Sequence, residues 1–227
     1  GNHFRELGGN TSDATVADTV RELVDSGYVS GLVLLAAEDG SELGDAGVPM
    51  VTVGHPLGAA ACRYVDNDNV EAGRFAADYL LRRGHSRILL LGYDPRYTVT
   101  ADRRRGYERA LREGGVPIRR EWVVPSRFLY NTTDQALLIR LFQPKDRPTA
   151  VVCMDDAQAI ALTSTLSAMG LSVPRDVSVV SFNNTEAGRY HNPPLTSVDV
   201  DPYRLGAAAM EMILALMEGE EPTRAPE

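Results

Sequence analysis

Apolar residues recur along the chain in two rhythms. One returns at helical spacing and predicts helices over 13–26, 70–83, 101–114, 132–142, 156–169 and 203–218. Glycines just past several of these, Gly27, Gly84, Gly114 and Gly170, sit where a helix end favours a residue without a Cβ. The other rhythm is a short run that is apolar at nearly every position. It predicts strands at Gly31–Ala36, Met50–Val53, Arg87–Leu91, Trp122–Val124, Thr149–Met154 and Val177–Phe182. A further strand follows the Pro193-Pro194 corner and leads into the last helix. Strands apolar throughout are buried on both faces, as in a parallel sheet covered by helices. Their alternation with helices predicts a doubly wound α/β fold. Ligands in such folds sit beyond the carboxyl ends of the strands. Here those ends are Gly54-His55-Pro56, Gly92-Tyr93-Asp94, 126–130, Asp155-Asp156 and Asn183-Asn184, mostly polar or aromatic.

Composition narrows the function classes. The 227 residues are 44% hydrophobic, ample for a packed core. Net charge is −8, and Lys145 is the only lysine. The basic cluster Arg103-Arg104-Arg105 is too small to track a phosphate backbone, so this region by itself is not expected to bind DNA. Cys62 and Cys153 lie in or beside apolar runs and read as buried hydrophobes in a reducing compartment. No apolar run approaches the ~18 residues of a membrane span. The histidines, His3, His55, His85 and His191, are scattered without metal spacing, and no metal or cofactor is expected. Glycoside hydrolysis needs two opposed carboxylates, whereas Asp155/Asp156 and Asp199/Asp201 are near neighbours that diverge. With no nucleophile elbow, phosphate loop or zinc motif either, catalysis is not expected.

Seven strings in order carry a resemblance that spans most of the chain. They are VSGLVL from Val29, VPMVTVGH from Val48, VDNDNVEAG from Val65, RGHSRI from Arg83, RRRGY from Arg103, AVVCMDDA from Ala150 and GLSVPRDVSVVSFNN from Gly170. Together they resemble the effector-binding region of the lactose/galactose repressor (LacI/GalR) family. The resemblance implies two parallel-sheet lobes of the type I periplasmic-binding-protein kind, with a sugar cleft between them. Crossovers are expected near Asn67, Ser197 and Gly219. That makes 1–67 plus 197–219 an N-terminal lobe and 68–196 plus 220–227 a C-terminal lobe. The family's helix-turn-helix headpiece, first strand, first helix and last strand find no counterpart, so a fold truncated at both ends is expected. The resemblance further implies a cytoplasmic homodimer, with helix 156–169 at its interface, that holds operator DNA through the headpiece and responds to a small effector, usually a sugar. An extracytoplasmic sugar-binding protein of a transporter is the alternative.

The same resemblance points to site residues. Arg103 matches the family's ligand-binding arginine, a rigid fork suited to paired hydroxyls. Asp155 stands where the family often has Asn, and Asn183 where it usually has Asp. Phe128, or alternatively Tyr130, matches an aromatic that stacks on the sugar ring. His55 lies on the first lobe's rim, with Tyr97 and Asp94 as weaker candidates. Asp156 is expected to cap the helix that follows it, and Arg104 and Arg105 to be solvated.

Overall fold

Strand β6, Ala150–Cys153, shows why the apolar runs have no polar gaps. All four of its residues are buried. Val151 and Cys153 face one hydrophobic cluster, while Ala150 and Val152 face another. Neighbouring β4 (Ile88–Gly92) divides the same way, Leu89 and Leu91 to one side and Ile88 and Leu90 to the other. A sheet covered on both faces leaves no polar position along such a strand.

The computed structural model describes residues 16–35, 47–56, 63–94, 97–125, 132–143 and 145–220. Two parallel sheets form from them. The larger has the order β5-β4-β6-β7-β8, with β5 at Val123–Pro125, β7 at Ser178–Phe182 and β8 at Thr196–Val198. Helices α2 (Asn69–Leu81) and α3 (Thr98–Glu113) cover one face. Helices α4 (Thr132–Phe142) and α5 (Asp156–Ala168) cover the other. The smaller sheet is β1 (Leu32–Leu35), β2 (Met50–Val53) and β3 (Arg63–Val65), in that order. Helix α1 (Val16–Asp25) packs Val20 against Leu32. Helix α7 (Pro202–Met217) packs Ala209, Met212 and Ile213 against Val51 and Val65.

The differences from the sequence reading are local and have physical causes. β3 was not anticipated, because only Val65 of its three residues is buried. Helix α3 starts at Thr98, three residues early. Its first turn is β-branched and reads poorly as helix, yet the Tyr97 carbonyl accepts from both Thr100 and Ala101. A short helix α6 (Glu186–Tyr190) arises because the Thr185 hydroxyl accepts the Gly188 N–H. At the end of α3 the left-handed residue is Gly115 (φ 68°), while Gly114 keeps a φ of −80°. Strand β8 lies wholly in the larger sheet, so the chain leaves that sheet after Val198, just beyond the expected crossing at Ser197. At this second crossover the Val200 carbonyl accepts from Asn67 Nδ2 of the first, at 3.2 Å.

His85 ties together the amino ends of the larger sheet. Its Nδ1 lies 3.0 Å from the Thr149 hydroxyl and its Nε2 3.1 Å from the Ser178 hydroxyl. Burial, and next the nearby Arg83 charge, hold its pKa below the usual imidazole value. The unfolded chain therefore binds this proton more readily, and stability falls as pH drops through about 6.5. Urea midpoints at pH ~7 and ~5.5 are expected to differ more for the wild type than for His85→Gln. An equal loss in both proteins would remove His85 as the titrating group.

Candidate functional site

The carboxyl ends of both sheets open on one cavity of about 320 Å³. Val53, Gly54 and His55 reach it from β2, Asn183 from β7, and Thr98, Val99 and Arg103 from the start of α3. Asp66, Asn67 and Asn69 come from the first crossover, and Val200 and Leu205 from the second.

Arg103 is placed by glycines. Helices α2 and α3 cross so closely that a Cβ on Gly73 would lie 2.2 Å from the Arg103 carbonyl oxygen. A Cβ on Gly106 would lie 1.9 Å from that of Val70. This contact puts Arg103 beside Asn69, whose Oδ1 accepts from Nε at 3.0 Å. Nη1 donates to the Met154 carbonyl at 2.8 Å, and the guanidinium lies 4.0 Å above the centre of the Phe182 ring. The side chain is 7% exposed. Among the described residues Nη2 has no hydrogen-bond partner, and no carboxylate lies within ion-pair distance of the guanidinium. Burial pushes its pKa down to about 10, opposed by the longer-range charges of Asp66 and Asp155.

The other expected residues sort differently. Asn183 lines the cavity at a φ of 94°, a left-handed backbone that only a few non-glycine residues adopt. Its backbone N–H donates to the Val198 carbonyl at 2.9 Å, and its side-chain amide has no partner among the described residues. His55 lines the cavity with its ring stacked on Tyr64, centroids 4.4 Å apart. The His55 carbonyl accepts from the Thr98 hydroxyl, joining the two rims. Tyr97 also lines the cavity. Phe128 and Tyr130 lie outside the described residues.

The helix cap expected of Asp156 is made by its neighbour instead. Asp155 is the residue that caps α5, its Oδ1 accepting the Gln158 N–H at 2.7 Å. Its other oxygen accepts the Tyr93 hydroxyl, and it does not line the cavity. The cause is backbone conformation. Asp155 is still extended (φ −154°, ψ 175°), as an N-cap must be, while Asp156 is already helical. Asp156 is 1% exposed and holds the hydroxyls of Ser181, Ser197 and Thr185, together with the Thr185 N–H, at 2.5 to 2.8 Å.

The residues missed from sequence are Asp66, Asn67, Asn69 and Thr98. The first three stand inside VDNDNVEAG, where polar density alone marked them. The Asp66 carboxylate accepts from the Asn67 N–H (2.8 Å), Asn69 Nδ2 (2.9 Å) and the His55 N–H (3.1 Å).

The family model of the periplasmic binding protein-like domain matches residues 77–227. The transcriptional repressor PurR of Vibrio vulnificus is 30% identical over 210 residues, a span of 90% of this chain and 62% of the repressor. The chain belongs to the LacI/GalR family. A LacI-family regulatory protein from Chloroflexus aggregans superposes with a TM-score of 0.82 at 28% identity, covering 94% of this chain and 78% of that one. The transcriptional regulator CelR in complex with cellobiose also reaches 0.82, at 27% identity, over 92% of this chain and 65% of that one. In this LacI/GalR domain the cavity offers hydrogen-bond donors beside an apolar wall of Val53, Val200 and Leu205. Among the described residues no helix is long and apolar enough to cross a membrane.

Proposed function

We propose that the chain is the effector-binding and dimerisation region of a bacterial transcription regulator. In this reading a small polyhydroxylated ligand occupies the cavity and draws the two lobes together, the first being 1–67 plus 197–219 and the second 68–196 plus 220–227. The protein acts in the cytoplasm as a homodimer, and operator DNA is held by a headpiece outside these residues. Closure resets the spacing of two headpieces, and half-site spacing is a geometric requirement. A ligand shifts this equilibrium only by binding one arrangement better than the other. The function is binding rather than catalysis, in keeping with the repressors and regulators the chain is similar to.

One observation carries the reading. Strand ends from both sheets and both described crossovers converge on a cavity in which Arg103 Nη2 and the Asn183 amide have no protein partner among the described residues. Donors left open to a cavity in this way are available to a ligand. A thermal-shift screen against mono- and disaccharides tests it, since a ligand of the native state raises the melting temperature. Arg103→Ala is expected to weaken binding of the best hit by at least about tenfold in calorimetry, the loss of one charge-assisted hydrogen bond. It is also expected to lower the melting temperature modestly, because the Met154 carbonyl and the Phe182 ring lose a partner. Unchanged affinity would take Arg103 out of the site.

A further inference from the structure

We propose that Asp66 is a positioning residue that couples the two rims of the cavity. It holds the rim of the smaller sheet at His55 and, through Asn69, fixes the Arg103 guanidinium, so that the two are set and released together. The proposal rests on the cavity being the effector site only for its consequence, and its test needs no ligand.

The hydrogen bonds form a closed ring. Arg103 Nε donates to Asn69 Oδ1 at 3.0 Å, and Asn69 Nδ2 donates to Asp66 Oδ1 at 2.9 Å. The other carboxylate oxygen of Asp66 accepts the His55 N–H at 3.1 Å. The His55 carbonyl accepts the Thr98 hydroxyl, and Thr98 lies on α3, the helix that carries Arg103. The ring passes between the sheets twice. His55 and Asp66 follow β2 and β3 of the smaller sheet, whereas Asn69 and Thr98 open α2 and α3, which cover the larger. The backbone of His55 is thus gripped on both sides, its N–H by Asp66 and its carbonyl by Thr98.

Chemistry dictates the direction of each bond. A guanidinium only donates and a carboxylate only accepts, so the Asn69 amide between them turns its oxygen to Arg103 and its nitrogen to Asp66. Asn69 is 3% exposed, which leaves water little access to replace either partner. An amide at position 66 would fail here. Its oxygen could accept from His55 or from Asn69, but its nitrogen would face a donor at the other. Parting the lobes breaks the ring at His55 and Thr98, and the support of Arg103 loosens with it. A ligand that reaches both rims therefore meets groups already ordered, and closure and affinity form one equilibrium.

Hydrogen exchange of the His55 N–H and of the Arg103 Nε–H, followed by NMR on the ligand-free chain, tests this. Both are expected to be protected in the wild type. Asp66→Asn strands one donor whichever way its amide turns, and both groups are expected to exchange about tenfold or more faster. Thr98→Val touches neither N–H, yet is expected to quicken both by about fivefold, the weight of one neutral hydrogen bond. The double variant Asp66→Asn with Asn69→Asp keeps the charge and restores the order of donors and acceptors, leaving the Asn67 N–H without its carboxylate. It is expected to bring both rates most of the way back. Amides of β6, buried in the larger sheet, report that each variant is folded. Wild-type exchange at both groups in Asp66→Asn would overturn the role of Asp66. An Arg103 Nε–H unmoved by Thr98→Val would make the rims independent and overturn the coupling. A double variant that exchanges as fast as Asp66→Asn would show that the order of donors and acceptors does not hold the site, which also overturns the proposal. Each of these results leaves the effector reading standing, since the sugar screen decides that separately.

Discussion

Gly106→Ala is expected to cost about 4 kcal/mol, a large share of the roughly 5–15 kcal/mol by which native proteins are typically stable. The added Cβ would lie 1.9 Å from the Val70 carbonyl oxygen and 2.5 Å from the Arg74 nitrogen. Both are backbone atoms inside α2, so no side chain can turn aside. The helices must separate instead, and the packing of Ala76, Ala77, Tyr107 and Ala110 on the larger sheet separates with them. Gly73→Ala acts on the same crossing from the other helix, with its Cβ 2.2 Å from the Arg103 carbonyl oxygen. The two changes together are expected to cost less than their sum, since one displacement relieves both clashes. Gly206→Ala is the control. It lies within α7, with nothing within 4 Å of an added Cβ, and alanine there is expected to stabilise by roughly 0.5–1 kcal/mol. Urea unfolding followed by circular dichroism separates these outcomes. A Gly106→Ala protein with a native midpoint would show that the helices do not cross this closely.

Asp156→Ala is expected to be nearly as damaging, at about 3–5 kcal/mol. The carboxylate gathers β7 through Ser181, β8 through Ser197 and the start of α6 through Thr185. Removing it leaves a buried hydroxyl and a backbone N–H without acceptors, and each orphaned donor costs its full desolvation penalty. It also opens a space beside Gly188, whose added Cβ would stand 2.9 Å from the carboxylate. Asp156→Asn keeps the shape but offers one acceptor oxygen where four donors converge. The hydroxyls can rotate away, whereas the Thr185 N–H cannot, so a smaller loss of about 2 kcal/mol is expected. Thermal melts of the three proteins check the order. If the alanine variant melted like the wild type, the network would have no net weight in stability.

These two positions also mark where reading by sequence stops. A strand buried on both faces writes itself into the chain as a nearly unbroken apolar run, so β4 and β6 stand out, as does β7 despite its buried Ser181, and so do the helices between them. Strand ends in a parallel sheet are where ligands are held, so His55 and Asn183 are legible as rim residues before any coordinates. Strand β3 was not legible, because Arg63 and Tyr64 are exposed and a three-residue strand has no periodicity to detect.

The shift of the α5 cap from Asp156 to Asp155 has the same kind of cause. Which acid caps α5 depends on the residue at which the backbone turns from extended to helical, and two adjacent aspartates give no sign of it. Asp156 then finds its donors 25 to 41 residues away in sequence, at distances no local pattern encodes. Asn69 holds Arg103 for a similar reason. Gly73 and Gly106 looked like ordinary helix residues until the crossing brought backbone against backbone.

The sequence alone determined the α/β alternation, the burial of the larger sheet on both faces and the rim on which a ligand would rest. Those properties are written along single elements, as helical spacing or as continuous apolar runs. Only the tertiary structure decided which acids are spent on the protein itself and which donors are left facing the cavity. Those depend on hydrogen bonds and close approaches between elements far apart in the chain, and burial makes each of them an obligation that one partner or another must meet.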